Sequence, residues 1–164
     1  MQFIFQPMTE ADARIILAWR YEGIYTVYNN EVGDEGIAEM LDRRSPYYSV
    51  RDERGELVGF FCYGTAAQVW DSGERSIYSE NNTISIGLGL RPDLTSKGIG
   101  LAFVEAGLTF AKEQFAPDNF RLFVLSFNER AIKVYERAGF QRVRVFKQRN
   151  MYGENEFVEM SRKA

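Results

Sequence analysis

One junction limits the fold of this chain more than any other stretch. The apolar run Thr83–Leu90 (TISIGLGL) reads as a strand. It breaks at Arg91-Pro92, passes through Asp93–Lys97, and reaches Gly98-Ile99-Gly100 at the head of an apolar helix expected over about 98–114. The residue before a proline is held extended, so the strand closes there. The first turn of a helix carries unsatisfied N–H groups and a partial positive charge. Glycines at that point let an anion approach the backbone, so the loop can act as a phosphate cradle. A plain cap by Thr95 or Ser96, with the glycines merely turning the chain, explains the same residues. Named phosphate motifs fit badly. A dinucleotide fingerprint needs a third glycine where Phe103 stands, and a Walker A loop needs Gly-Lys-Ser/Thr where the order is Lys97-Gly98-Ile99.

The flanking segments set the architecture. Residues 3–5 read as a first strand, and Thr9 as the N-cap of a helix with Glu10 and Asp12 in its first turn. Residues 20–33 are aromatic and loop-like, and Asp34 is expected to cap a second helix running to about Arg44. Strands at 47–52 and 57–66 flank a turn with Gly55 where positive φ is expected. Residues 67–82 form a polar excursion. Two glycines inside TISIGLGL point to a bulge or to close approach of neighbouring atoms. A buried strand at 120–127, a short helix opened by Asn128 and closed by Gly139, and a final hairpin around Tyr152-Gly153-Glu154 complete the chain. The order β-α-α-β-β-β-α-β-α-β-β predicts a single domain over 1–164. Its fold class is mixed α/β (α+β), with a largely antiparallel central sheet flanked by helices.

Composition excludes several chemistries. The chain of 164 residues has no histidine. A Ser-His-Asp triad, a Cys-His pair and a His-rich zinc site are thereby ruled out, and the reading calls for no metal. Acid–base work falls to carboxylates, tyrosine, lysine, water or the backbone. The single cysteine, Cys62, lies in an apolar strand with no histidine to activate it and reads as core. With no recognisable leader, it points to a reducing cytoplasm. A net charge of −3 argues against a nucleic-acid partner, and no apolar run is long enough for a membrane span.

A second motif sits thirty residues past the glycines. Asn128-Glu129-Arg130-Ala131-Ile132-Lys133-Val134-Tyr135-Glu136-Arg137-Ala138-Gly139-Phe140 follows a strand directly. Taken with SKGIGLA, it resembles the general N-acetyltransferase superfamily (GNAT), most closely over residues 83–141. The resemblance implies acetyl-CoA as co-substrate and direct attack of a primary amine on its thioester. It also implies a V-shaped splay between the strands near 83–90 and 120–127, where the pantetheine arm lies along Leu88 and Leu90. The superfamily's loop, Gln/Arg-x-x-Gly-x-Gly/Ala, holds the pyrophosphate and corresponds here to Thr95-Ser96-Lys97-Gly98-Ile99-Gly100, leading into Leu101. Thr95 departs from the usual Arg or Gln, and Lys97 is expected to replace part of the missing charge. Asn128 matches a contact to the cofactor arm, or is a plain N-cap. Tyr135 matches the acid that protonates the departing thiolate, or is a packed aromatic.

Candidates for the base are Glu80, Glu74 and Asp71, with a water relay as the alternative. The aromatic stretch 19–30, with Tyr47, Tyr48 and Trp70, suits one wall of the acceptor site, whether for a small-molecule amine or a peptide or protein amine. An aromatic core edge or a homodimer contact explains it equally well. A non-catalytic acyl-CoA-binding regulatory module is the alternative function. No covalent nucleophile stands out.

Overall fold

The computed structural model describes residues 1–70, 75–150 and 153–164. Strands β1 (Ile4–Pro7), β2 (Tyr47–Arg51), β3 (Leu57–Tyr63), β4 (Thr83–Leu90), β5 (Asn119–Leu125), β6 (Gln141–Asn150) and β7 (Gly153–Lys163) form one sheet in the order β1-β2-β3-β4-β5-β7-β6. Helices α1 (Glu10–Leu17), α2 (Asp34–Met40), α3 (Gly100–Phe115) and α4 (Glu129–Arg137) flank it. Every neighbouring pair of strands is antiparallel except β4 and β5, which run parallel. The expected element order and the largely antiparallel sheet are therefore what the chain forms.

Local chemistry explains most of the ends. Thr9 caps α1 by accepting a hydrogen bond from the Asp12 amide at 3.2 Å. Gly55 holds φ 82° in the β2–β3 turn, and Gly139 holds φ 95° just past α4, both conformations that cost glycine little. Several boundaries differ from expectation. Gly33, not Asp34, is the N-cap of α2, and the helix stops at Met40. β3 ends at Tyr63, since Gly64 at φ 98° turns the chain into a short 3₁₀ segment over Thr65–Ala67. α3 starts at Gly100 rather than Gly98, because Gly98 holds φ 81°. Tyr152 of the final turn lies outside the described residues.

Each face of the sheet has its own core. On one, Phe61 and Tyr63 of β3 and Ile84 and Ile86 of β4 pack under Phe103, Val104 and Leu108 of α3 and Ile132 of α4. On the other, Leu57 and Phe60 meet Ala13, Ile16 and Leu17 of α1 and Ile37 and Met40 of α2. Burying each of the larger side chains is worth about 1.5–3 kcal/mol before chain entropy is counted. Cys62 is buried, and burial pushes its thiol up to about 12, so it stays protonated as the core residue expected.

The strand glycines have a steric cause. A Cβ on Gly89 would sit 2.4 Å from the Phe60 ring, and one on Gly87 2.6 Å from the Cys62 sulfur. The β3–β4 register runs unbroken from Gly59↔Leu90 to Tyr63↔Ile86, so close approach and not a bulge accounts for both.

Candidate functional site

The site begins with a gap in the sheet. β4 and β5 pair only through Thr83↔Asn119, Ile84↔Phe120 and Ser85↔Arg121, and beyond that point they part. β4 keeps its pairing with β3 to Leu90 while its other edge loses its partner. Hydrogen bonds Arg91 N to Val58 O (2.8 Å) and Gly64 N to Ser85 O (2.8 Å) show that the odd-numbered residues of β4 bond to β3. By antiparallel alternation, the backbone groups of Leu88 and Leu90 face the gap. The expected V-shaped splay is present, and the resemblance's two cofactor-arm residues have their amides on its inner edge.

A cavity of about 1170 Å³ fills the gap. One end is the loop from Thr95 to Gly100. The Thr95 hydroxyl is used within the turn, donating to Pro92 O at 2.8 Å, and Ser96 holds φ 60°. Ile99 is the N-cap of α3, makes no side-chain cap, and is followed by no acid in the first turn. The cap alternative for Thr95 and Ser96 thus falls away, and a helix of 16 residues begins at the cavity with no side-chain cap on its first N–H groups among the described residues. A side chain at Gly98 would meet no atom within 4 Å, so the backbone there is bare on its open side. Gly100 is different: an added Cβ would meet Val134 of α4 at 3.4 Å, an ordinary van der Waals contact, so the packing of α3 on α4 does not itself require glycine there.

The other walls come from α4 and the segment between α1 and α2. Asn128 caps α4 by accepting from the Ala131 amide at 3.3 Å, and its Nδ2 donates to the Tyr28 hydroxyl at 2.9 Å. It is at once a cap and a wall residue. Tyr21 donates from its hydroxyl to Leu90 O at 2.6 Å, occupying one of the splayed carbonyls. Burial pushes Tyr21 up to about 12, with the nearby Arg130 charge opposing the shift, and raises Tyr28 as well. Tyr135 lines the cavity while its ring packs edge-on against Phe140 at 6.2 Å, and burial pushes its phenol above the ordinary value. It keeps its proton at neutral pH, as a tyrosine of ordinary value also would.

A family model for GNAT acetyltransferases matches residues 13–140. The chain belongs to the GNAT acetyltransferase family. A mycothiol acetyltransferase from Propionibacterium freudenreichii is 37% identical over 91 residues, which are 55% of this chain and 26% of that protein. The chain thus spans about a quarter of that relative's length. Among solved structures, a spermidine/spermine N-acetyltransferase from Vibrio cholerae superposes with a TM-score of 0.72 at 14% identity, covering 99% of this chain and 92% of that one. An aminoglycoside acetyltransferase in complex with coenzyme A superposes with a TM-score of 0.72 at 19% identity, covering 99% and 95%. At such identities the two structures show a shared GNAT fold.

Within this GNAT domain, the cavity gathers Leu88, Leu90, Thr95, Ser96, Gly98, Gly100, Leu101, Asn128 and Tyr135, nine residues that the sequence pointed to. Lys97 is exposed, and neither it nor Ile99 is part of the wall. Glu80 is exposed in a 3₁₀ turn before β4 and outside the wall. It stands eight residues from Leu88, five of them inside the strand at ~3.3 Å each, too far to touch a group bound at Leu88. Glu74 and Asp71 lie outside the described residues.

Sequence reasoning did not single out Arg130, Arg137 or Glu31, which all line the cavity, Glu31 being its only carboxylate among the described residues. The spacing of Arg130 and Arg137, two helical turns apart on α4, was the available signal. The aromatic stretch divides. Trp19, Tyr21, Tyr25 and Tyr28 line the cavity, Tyr47 belongs to the α1–α2 core, Tyr48 packs on Phe110 at 4.7 Å, and Trp70 packs on Phe123 at 5.0 Å.

Proposed function

We propose that residues 1–164 act as one acetyl-CoA-dependent N-acetyltransferase that moves an acetyl group to a primary amine by direct attack. The unpaired inner edge of β4, beside the uncapped start of α3, carries this reading. It offers an extended amide chain a strand-like partner, and the end of that chain an anion site. Those features fit coenzyme A, which would supply the acetyl group as a thioester.

Each group then has a task. The free α3 amides and the bare backbone at Gly98 hold phosphate oxygen. Backbone amides of Leu88 and Leu90 fix the arm and donate to the thioester oxygen, where charge develops as the amine nitrogen bonds to the carbonyl carbon. As the C–S bond breaks, Tyr135 gives its proton to the leaving sulfur. The proton lost by the amine passes to water, since Glu80 is outside the wall. Glu31 faces a cationic acceptor with an opposite charge. Holding both reactants in one cleft supplies much of the rate.

The test is release of coenzyme A thiol from acetyl-CoA across polyamines, aminoglycosides, amino acids and peptide amines. Amine-dependent release with at least one class is the expected result. Binding of coenzyme A without release under any acceptor leaves a non-catalytic acyl-CoA-binding module. No binding and no release overturns both.

A further inference from the structure

The loop's first position lacks the charge that a phosphate site needs, and Lys97 does not reach the cavity. A cation is nevertheless present, from another element. The Arg130 Nη1 stands 2.7 Å from the Ser96 hydroxyl oxygen, on the loop itself. Its guanidinium carbon lies 4.0 Å from the centroid of the Tyr25 ring. Arg130 lines the cavity and joins no ion pair among the described residues. Among the described residues its polar contacts are with neutral groups, the Ser96 hydroxyl and the face of Tyr25. A planar fork held flat on an aromatic ring keeps its remaining N–H donors directed and loses little freedom when it binds.

We infer that Arg130, reaching from α4, supplies the cation of the cofactor's diphosphate site, standing in for the side chain that Thr95 does not provide. This rests on the cofactor proposed above. It also makes Arg130 a link between the two halves of the cleft, since one guanidinium touches the glycine loop and the tyrosine segment that walls the other side.

The experiment measures affinity by calorimetry for coenzyme A, dephospho-coenzyme A and pantetheine, in wild type, Arg130→Lys, Arg130→Gln and Lys97→Gln. Dephospho-coenzyme A keeps the diphosphate and lacks the 3′-phosphate; pantetheine lacks all phosphate. Arg130→Gln is expected to weaken both phosphate-bearing ligands by roughly 10- to 100-fold, the loss that accompanies a charge-assisted hydrogen bond, and to leave pantetheine unchanged. Arg130→Lys keeps the charge without the fork and falls between. Lys97→Gln stays within about twofold of wild type, as an exposed group in high dielectric should. A penalty on coenzyme A alone assigns Arg130 to the 3′-phosphate and overturns the diphosphate assignment. Equal losses for all three ligands make the residue a wall support and overturn the inference. So does unchanged binding in folded Arg130→Gln, checked by circular dichroism. If Arg130→Gln does not fold, equal losses in Arg130→Lys decide the matter in the same way. A wild type that binds none of the three removes the proposed function itself.

Discussion

Replacing Gly107 by alanine sets two known effects against each other in the middle of α3. Helix propensity favours alanine over glycine by about 1 kcal/mol, so an exposed site would gain stability. Here the new Cβ would lie 2.2 Å from two carbons of the Phe61 ring, against 3.4 Å or more in ordinary contact. Phe61 is fully buried between Phe103, 4.7 Å away, and Tyr63, stacked at 6.0 Å. Phe5 stands on a further side, its ring 5.6 Å away. The helix is also tied at this residue, because the Tyr63 hydroxyl donates to Gly107 O at 2.8 Å. Overpacking costs roughly 1–3 kcal/mol and sometimes more, and at a contact this short it exceeds the propensity gain of about 1 kcal/mol, so the net sign is destabilising. Urea melts followed by far-UV circular dichroism should show a lower midpoint at unchanged slope, with Tm lower by about 2–10 °C. Adding Phe61→Leu should return part of the loss, so that the pair is less destabilised than the two changes summed. A Gly107→Ala variant as stable as wild type would refute the steric argument.

The other expectations concern chemistry and pH. Tyr135→Phe keeps the ring and removes the proton, so kcat should fall on the order of 10²-fold with coenzyme A affinity little changed; wild-type turnover would leave Tyr135 a packing residue. Glu80→Gln should match wild type in kcat/KM across pH, and a large neutral-pH defect that disappears at high pH would place the base at Glu80 after all. Stability should fall in alkali. Burial raises Tyr21, Tyr47, Tyr63, Tyr135 and Cys62 in the folded state. Above about pH 9–10 the unfolded chain therefore binds fewer protons than the folded one, and the contribution present below that range is lost as pH rises toward 12. Each group adds a slope of about 1.4 kcal/mol per pH unit, and a flat pH–stability curve between 9 and 11.5 would contradict the burial argument.

How far the sequence reaches depends on what each feature rests on. Thr9, Gly55 and Gly139 act through their own backbone geometry, so a short window shows them. The glycine loop and Asn128 are equally local, and the whole element order follows from runs of this kind. The register is not local. That β4 and β5 meet through only three residue pairs depends on contacts 36 residues apart in sequence, visible beforehand only through the family resemblance. Ser96 binds Arg130 34 residues away, and Tyr21 reaches Leu90 across 69, so neither partnership leaves a mark in either segment alone. Glu80 shows the converse. Its distance from the cavity follows from where β4 begins, which proximity in sequence to the splayed strand conceals.

The short β4–β5 contact also acts as a lever. Three residue pairs hold the β1–β4 half of the sheet to the β5–β7–β6 half, and Arg121 pins that spot by donating to Ser85 Oγ at 3.0 Å and Ser79 Oγ at 3.2 Å. From Ser85 to Leu90 is five residues, about 16 Å of extended chain. One degree of rotation at the contact therefore displaces Leu90 by about 0.3 Å relative to β5, so ten degrees amount to an atom's diameter. The width of the cleft therefore depends on side chains at its narrow end as well as on the Asn128–Tyr28 and Arg130–Ser96 contacts across its mouth. Changes at Ser79, Ser85 or Arg121 are thus expected to move Leu90 relative to β5, against the ties that Asn128 and Arg130 make across the cleft.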